Sequence, residues 1–398
     1  MTKKLLVLLD NPFTNDRRVY REAKCLHEIG FQIQLIGTKQ DGLPEVEIVE
    51  GIRVLRIFEN DIFDPKKPLS FKKYALWIHN RFDFDIIHAN DQTMLHLGVK
   101  LKKIRPNVLL VYDSHELFHA WPINTDGNIL IRLKSFIVKN IQIRREKRNS
   151  LKIDGLITVN YSILKDLQNY FKYDGPGIFI RNIPELPPDN FKSNILREKF
   201  NIPDYTKILV YIGANIYPRT INIEQVIIEF KNVDELVMVF ICSDNWGRHS
   251  IENFCKVNCV ENVFFHDLIP SSEIPTYLSS ATVGIVSAWN KFDLSYWYGL
   301  DNKLFEYMMS ELPILATQQP EYVKIVEKNQ IGICIYPDNE GKPYLEGFYK
   351  IIDNIDFYIE NIKETKLKLN WNIEKENLIQ FYKHLISGRR RCRLCRER

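Results

Sequence analysis

Neither common phosphate-loop fingerprint occurs in this chain of 398 residues: there is no GxxxxGK[ST], and no GxGxxG follows any strand-like run. Both motifs use glycine so that backbone N–H groups can close on phosphate, so their absence removes support from a P-loop NTPase and from a dehydrogenase. Long apolar runs are missing as well. The start, MTKKLLVLLDNPF, offers five apolar residues before Asp10, too few for a signal peptide or a membrane span. The expectation is a soluble, cytoplasmic protein. The seven cysteines are odd in number and dispersed, at Cys25, Cys242, Cys255, Cys259, Cys334, Cys392 and Cys395. They read as reduced thiols, and the lone Cys392-x-x-Cys395 lacks the second pair or the histidines that zinc needs. A basic body is also lacking. The last ten residues, RRRCRLCRER, hold six Arg and one Glu, a charge of +5, so the other 388 residues carry −1 of the net +4. Charge therefore excludes nucleic acid as a partner of the body.

What is present is an alternation. Apolar runs rich in Ile, Val and Leu recur between helix-length amphipathic segments: KLLVLL (4–9), QIQLIG (32–37), IRVLRI (52–57), DIIHAN (85–90), VLLVYD (108–113), GLITV (155–159) and IFIRN (178–182). Such strands predict a parallel sheet covered on both faces. A proline-rich stretch, IPELPPDNFKSN (183–194), interrupts the pattern, which restarts with KILVYIG (207–213), LVMVFIC (236–242), VFFHDL (263–268), TVGIVS (282–287), PILAT (313–317) and GICIYP (332–337). The reading is an α/β protein with domains at 1–185 and 206–370, a linker at 186–205, a helix at 371–388 returning to the first domain, and a basic tail at 389–398. Each domain is expected to be doubly wound, with ligands beyond the carboxyl ends of its strands and a cleft where the domains face each other.

The chemistry-bearing residues follow strands. DNPFTNDRRVYREA (10–23) places Asn15 and Asp16 to cap a helix, either as a plain turn or as part of an anion site. His88, inside its strand, reads as a packed, hydrogen-bonded histidine. After VLLVYD, His115 stands beside Glu116, a pair suited to hydrogen bonding a sugar or a leaving group. In YIGANIYPRT (211–220), Gly213 ends a strand and Arg219 stands at the entry to a helix. A guanidinium with helix-terminal N–H groups makes a diphosphate cradle.

The segment NKLFEYMMSELPILAT (302–317) raises a sharper question. Leu304, Phe305, Met308 and Met309 share one side of a helix, while Asn302, Glu306 and Ser310 form a second stripe flanked by Lys303. That stripe is either a solvated face or the wall of a site. Position after a strand favours the site: a carboxylate one turn into the helix can accept two ribose hydroxyls, and Lys303 can meet phosphate.

In order along the chain, DRRV-x-REA, IIHAND, YDSHELF, GLITVN, IRNIP, VYIG with its Arg, HDLIPSSEIPTYLSSATVGIV and NKLFEYMMSELPILAT resemble the retaining glycosyltransferases of the GT-B fold, in particular family 4, the glycosyltransferase group 1 family. The resemblance implies two Rossmann-like domains and transfer of a sugar from a nucleotide diphosphate sugar to an acceptor hydroxyl with retention, in bacterial surface polysaccharide or glycoconjugate synthesis. It implies that Glu306 holds the nucleotide ribose as the second acid of an E-x7-E pair and that Arg219 binds diphosphate. Lys303 and Asn302 flank that pocket, and Gly213 opens it. His115 falls beside the donor sugar, and Asp16 lies in the loop approaching donor phosphate and acceptor. Tyr298 replaces the first acid, which leaves the donor sugar undetermined.

No cofactor and no metal is expected, since cationic side chains and helix amino ends can meet the diphosphate charge. The acceptor would be a carbohydrate or lipid-linked molecule. Segment 131–152, IRLKSFIVKNIQIRREKRNSLK, interleaves basic and apolar residues, and reads either as a covered helix with a solvated basic face or as one lying on an anionic membrane at its inner face. Two other classes stay open: a GT-B-like nucleotide-sugar epimerase, and a non-catalytic partner of an active transferase.

Overall fold

A computed structural model describes residues 3–14, 16–58, 68–121, 129–216, 222–231, 233–290 and 293–388. The chain forms two units: residues 1–181 together with those from 374 onward, and residues 182–373.

The first unit is built on eight strands: β1 (Lys4–Leu8), β2 (Gln32–Thr38), β3 (Val46–Val49), β4 (Ile52–Phe58), β5 (Ile86–Asn90), β6 (Leu109–Ser114), β7 (Gly155–Thr158) and β8 (Gly177–Phe179). Their order across the sheet is β3-β4-β2-β1-β5-β6-β7-β8, and all pairs are parallel except β3 with β4. Every residue of β5 is buried, as expected of a central strand covered on both faces. Sequence patterning missed β3. It alternates apolar and acidic residues at the sheet edge, and Ile48 stays 74% exposed. Glu50 and Gly51, at φ +47° and +85°, form the two-residue turn into β4.

Six parallel strands build the second unit: β9 (Lys207–Ile212), β10 (Leu236–Ile241), β11 (Val263–His266), β12 (Val283–Val286), β13 (Ile314–Thr317) and β14 (Gly332–Ile335), in the order β11-β10-β9-β12-β13-β14. Apolar clusters cover both faces of this sheet. The segment 186–205, read as a linker, holds a short helix, Ile195–Phe200, whose Leu196 is buried in one of these clusters.

The last described helix, Trp371–Ile386, joins the first unit from Glu374 onward. Phe381 and Leu385 lie so close over Gly155 that a Cβ there would come within 2.8–2.9 Å of them. Arg181 binds Glu374 through its Nε (2.8 Å) and Nη2 (2.6 Å).

Strand order changes direction between β1 and β5 in the first sheet, and between β9 and β12 in the second. Crevices for ligands open at such switch points, outside the carboxyl ends of the strands. The candidate residues are distributed around these two places.

Candidate functional site

In the second unit, β12 pairs with β9 at only two positions, Val283 with Leu209 and Gly284 with Val210. Beyond them Tyr307 closes the opening. Its hydroxyl accepts the Ile212 N–H at 3.1 Å and lies 3.2 and 3.1 Å from the carbonyls of Val210 and Ile285. A Cβ on Gly284 would stand 2.4 Å from the Tyr307 ring, so glycine is what lets the phenol reach the backbone.

Tyr307 belongs to the helix Asn302–Met309. Leu304, Phe305, Met308 and Met309 are buried as their spacing predicts. The polar stripe is less uniform than the sequence suggests. Asn302 is exposed and Glu306 half-buried, but Ser310 is buried and turns back to donate to the Glu306 carbonyl at 2.7 Å. Ser310 therefore caps the helix and forms no part of an open face.

Lys303 is also more committed than expected. Its ammonium lies 3.1 Å from the Asp301 carboxylate and 4.9 Å over the Tyr211 ring. Burial alone would lower its pKa, but Asp301 and the phenols of Tyr211 and Tyr307 outweigh that and raise it. The sequence reading missed Asp301 and Tyr211, both of which flank motif positions it had singled out. Gly213 follows β9, its N–H donating to the Ile241 carbonyl at 3.0 Å. Tyr298, half-buried, caps the short helix Leu294–Trp297. Arg219 lies outside the described residues.

In the first unit, Asp16 caps the helix Arg17–Glu28, accepting the Val19 N–H at 3.1 Å and the Asn11 amide at 2.9 Å. His115, one residue past β6, is held between two carboxylates. Its Nε2 lies 3.2 Å from Asp113 and its Nδ1 3.4 Å from Asp91, while its backbone N–H donates to Asp91. Burial would depress the imidazole, but Asp91 and Asp113 prevail and push its pKa up to about 10. His115 is thus an imidazolium at neutral pH, an electrostatic group rather than a free base. Asp91 adopts φ +59°, a left-handed conformation unusual for a side chain other than glycine. Asp10, two residues past β1, has its pKa raised to about 6 by burial and then by neighbouring Asp91.

Behind these groups lies a buried charged cluster that the sequence reading did not assemble. Arg18 donates through Nε and Nη2 to Asp113 at 3.2 and 3.0 Å, through Nη1 to the Ile180 carbonyl, and lies 3.1 Å from Glu22. Burial would raise the Asp113 carboxyl, but Arg18 and His115 hold it well below the usual range. Burial pushes Glu22 up to about 7. His88 is the packed histidine expected of it, with Nδ1 2.5 Å from the Tyr382 hydroxyl. Its Nε2 faces Glu22 and Asp113 at 3.7 and 3.5 Å, beside a cavity wide enough for a single water.

Glu22, His88 and Asp113 bring ligand-type atoms within 4.8 Å of one another, as a metal site would. Arg18 already supplies the cation there, and a divalent ion would be set against its guanidinium. One signal could have revealed the cluster. Val19, Glu22, Ala23 and Leu26 follow the core-facing spacing i, i+3, i+4, i+7, so a charged residue lies on an apolar face.

Comparisons with known proteins bear on the fold and the family. A model of Glycosyltransferase Family 4 matches residues 16–182, and one of Glycosyl transferases group 1 matches residues 206–354. Among solved structures, sucrose-phosphate synthase from Thermosynechococcus elongatus is similar over 97% of this chain and 100% of its own, with TM-score 0.76 and 16% identity. Trehalose 6-phosphate synthase from Burkholderia multivorans aligns over 98% of both chains (TM-score 0.71, 9% identity). Anabaena HepE, solved with UDP-glucose, covers 96% of this chain and 99% of its own (TM-score 0.67, 13% identity). A search of curated protein sequences finds no match. The fold is that of a GT-B glycosyltransferase. The chain belongs to the family 4, group 1 glycosyltransferases.

Proposed function

We propose that the protein transfers a hexosyl unit from a nucleoside diphosphate sugar, in the first instance a UDP-hexose, to a hydroxyl of a carbohydrate or lipid-linked acceptor with retention of configuration. The setting proposed is bacterial surface polysaccharide or glycoconjugate synthesis at the cytoplasmic side of the membrane. The observation that carries the donor half is Glu306, half-buried one turn into the helix that closes the β9/β12 switch point. A carboxylate there can accept both ribose hydroxyls. Lys303, anchored by Asp301 and Tyr211, offers a fixed positive charge near the same crevice, and Arg219 supplies the guanidinium for diphosphate. No divalent ion is invoked, because these cations suffice for the leaving group. The match to HepE, a protein solved with UDP-glucose, supports a uridine donor.

Tyr298 stands where the family resemblance calls for the first acid, so a covalent glycosyl-carboxylate is not part of the proposal. Catalysis then rests on positioning and charge. In the first unit the His115 imidazolium, held by Asp91 and Asp113, is the electrostatic partner for donor or acceptor oxygens.

The test is calorimetry of UDP-glucose and UDP on wild type and Glu306→Gln. Affinity for both is expected to fall by roughly 1–3 kcal/mol, the range for a lost charged hydrogen bond. Unchanged affinity in a folded variant removes the ribose role. Product analysis separates the classes: UDP released only with acceptor marks a transferase, an altered UDP-sugar an epimerase, and neither a non-catalytic partner.

A further inference from the structure

The helix Ile129–Ser150 has two halves in different surroundings. Toward its carboxyl end Glu146, Asn149 and Ser150 are buried, and the Tyr112 hydroxyl donates to Glu146 at 2.6 Å. Toward its amino end Ile129 and Leu130 are 80% and 72% exposed, and Leu133, Phe136, Ile137 and Ile141 are each about half exposed. At 100° per residue these six side chains share an arc of about 140°, and Ile131, also 49% exposed, lies about 80° beyond its edge. Lys134, Arg144 and Arg148 lie on that arc or beside it, and the helix as a whole carries seven Lys and Arg against the single, buried Glu146.

Apolar surface on this scale marks an interaction site, and its charge selects the occupant. A second copy would bring like-charged helices together. No described helix is long and apolar enough to cross a bilayer. An anionic lipid surface satisfies both features: the apolar amino-terminal turns enter the acyl boundary while the basic residues further along the same side meet headgroups.

A second contact ties this helix to the candidate site. Lys139 donates to the Phe118 carbonyl and lies 3.8 Å over the Phe118 ring. Phe118 is three residues past His115, and it packs at 6.2 Å against Trp121, itself 44% exposed. Tryptophan favours the boundary between water and lipid.

We propose that the amino-terminal half of this helix, with Trp121, docks flat on an anionic bilayer and thereby brings the His115 loop to acceptors carried on lipid. The docking stands on exposure and charge; the statement about acceptors rests on the transferase reading.

The experiment is co-sedimentation with vesicles of phosphatidylcholine, with and without about 30% phosphatidylglycerol. Wild type is expected to bind only the anionic vesicles, and binding should weaken in high salt. Leu133→Asp combined with Phe136→Asp is expected to weaken binding at least about tenfold by removing inserted apolar area. Thermal unfolding and the UDP-glucose thermal shift should stay unchanged in that variant. No binding by wild type, or equal binding by the variant, overturns the docking. A concentration-dependent dimer that the same variant abolishes also overturns it, in favour of self-association. Vesicle binding without any response to UDP-, GDP-, ADP- or CMP-sugars leaves the docking standing and removes the transferase reading instead.

Discussion

At its switch point the first sheet leads into ionisable side chains, the buried Arg18, Glu22, His88 and Asp113 and the half-buried His115, linked by contacts of 3.0–3.7 Å. At the corresponding place the second sheet is closed by a neutral phenol, Tyr307, among apolar neighbours, and Lys303–Asp301 is the ion pair beside it. The same topology therefore reaches two different electrostatic states. The first crevice depends on which groups hold protons; the second depends on packing. A nucleotide pocket gains from rigidity that pH leaves alone, whereas a place where hydroxyls react gains from charges already fixed in position.

The strongest way to break this contrast is Arg18→Ala, which leaves Asp113 and Glu22 buried without their cation. Urea unfolding should show a loss of roughly 3–5 kcal/mol in the first domain. A loss below about 1 kcal/mol would mean the cluster is not held by charge.

Next comes pH. His115 binds its proton more tightly in the folded chain, at about 10 against an ordinary 6.5. Its stabilising contribution is complete below pH 6.5 and is lost as pH rises through 10. Between those values the wild type should lose roughly 2–4 kcal/mol that His115→Gln does not lose, as read from unfolding midpoints across the range. Parallel profiles would show that His115 is not held as an imidazolium.

Tyr307→Phe probes the other side. It leaves the buried Ile212 N–H unsatisfied and should destabilise the second domain by about 1–3 kcal/mol, equally at pH 6 and pH 9. A pH-dependent loss would blur the distinction between the two crevices. The smallest effect expected is Arg219→Ala, with kcat/KM for donor lowered roughly tenfold. Unaltered kinetics would leave the diphosphate without that residue.

The fold was largely legible because parallel strands covered on both faces read as unbroken apolar runs, as LVMVFI (236–241) does. β3 was not legible, since VEIV between acidic residues resembles a loop and is recruited only by its hairpin partner. Residues that follow strands, such as Asp16, His115 and Glu306, were legible as positions. Their partners were not: Asp91, Asp113 and Arg18 come from separate segments, and only the sheet makes them neighbours. Lys303 shows the converse. Its location was readable, but its engagement by Asp301 and Tyr211 depends on the local turn and on β9.

The bond between His88 and Tyr382 has a consequence for synthesis. A nascent chain exposes residues 1–181 long before residue 382 leaves the ribosome, so the first domain emerges without the hydroxyl that His88 binds and without the carboxylate of Glu374 that Arg181 requires. The charged cluster itself lies within residues 1–181, but these two contacts must wait while the whole second domain is translated. Completion of the first domain therefore waits for residues 374–386, and a chain stalled before residue 374 would hold the whole second domain beside a first one lacking these two contacts.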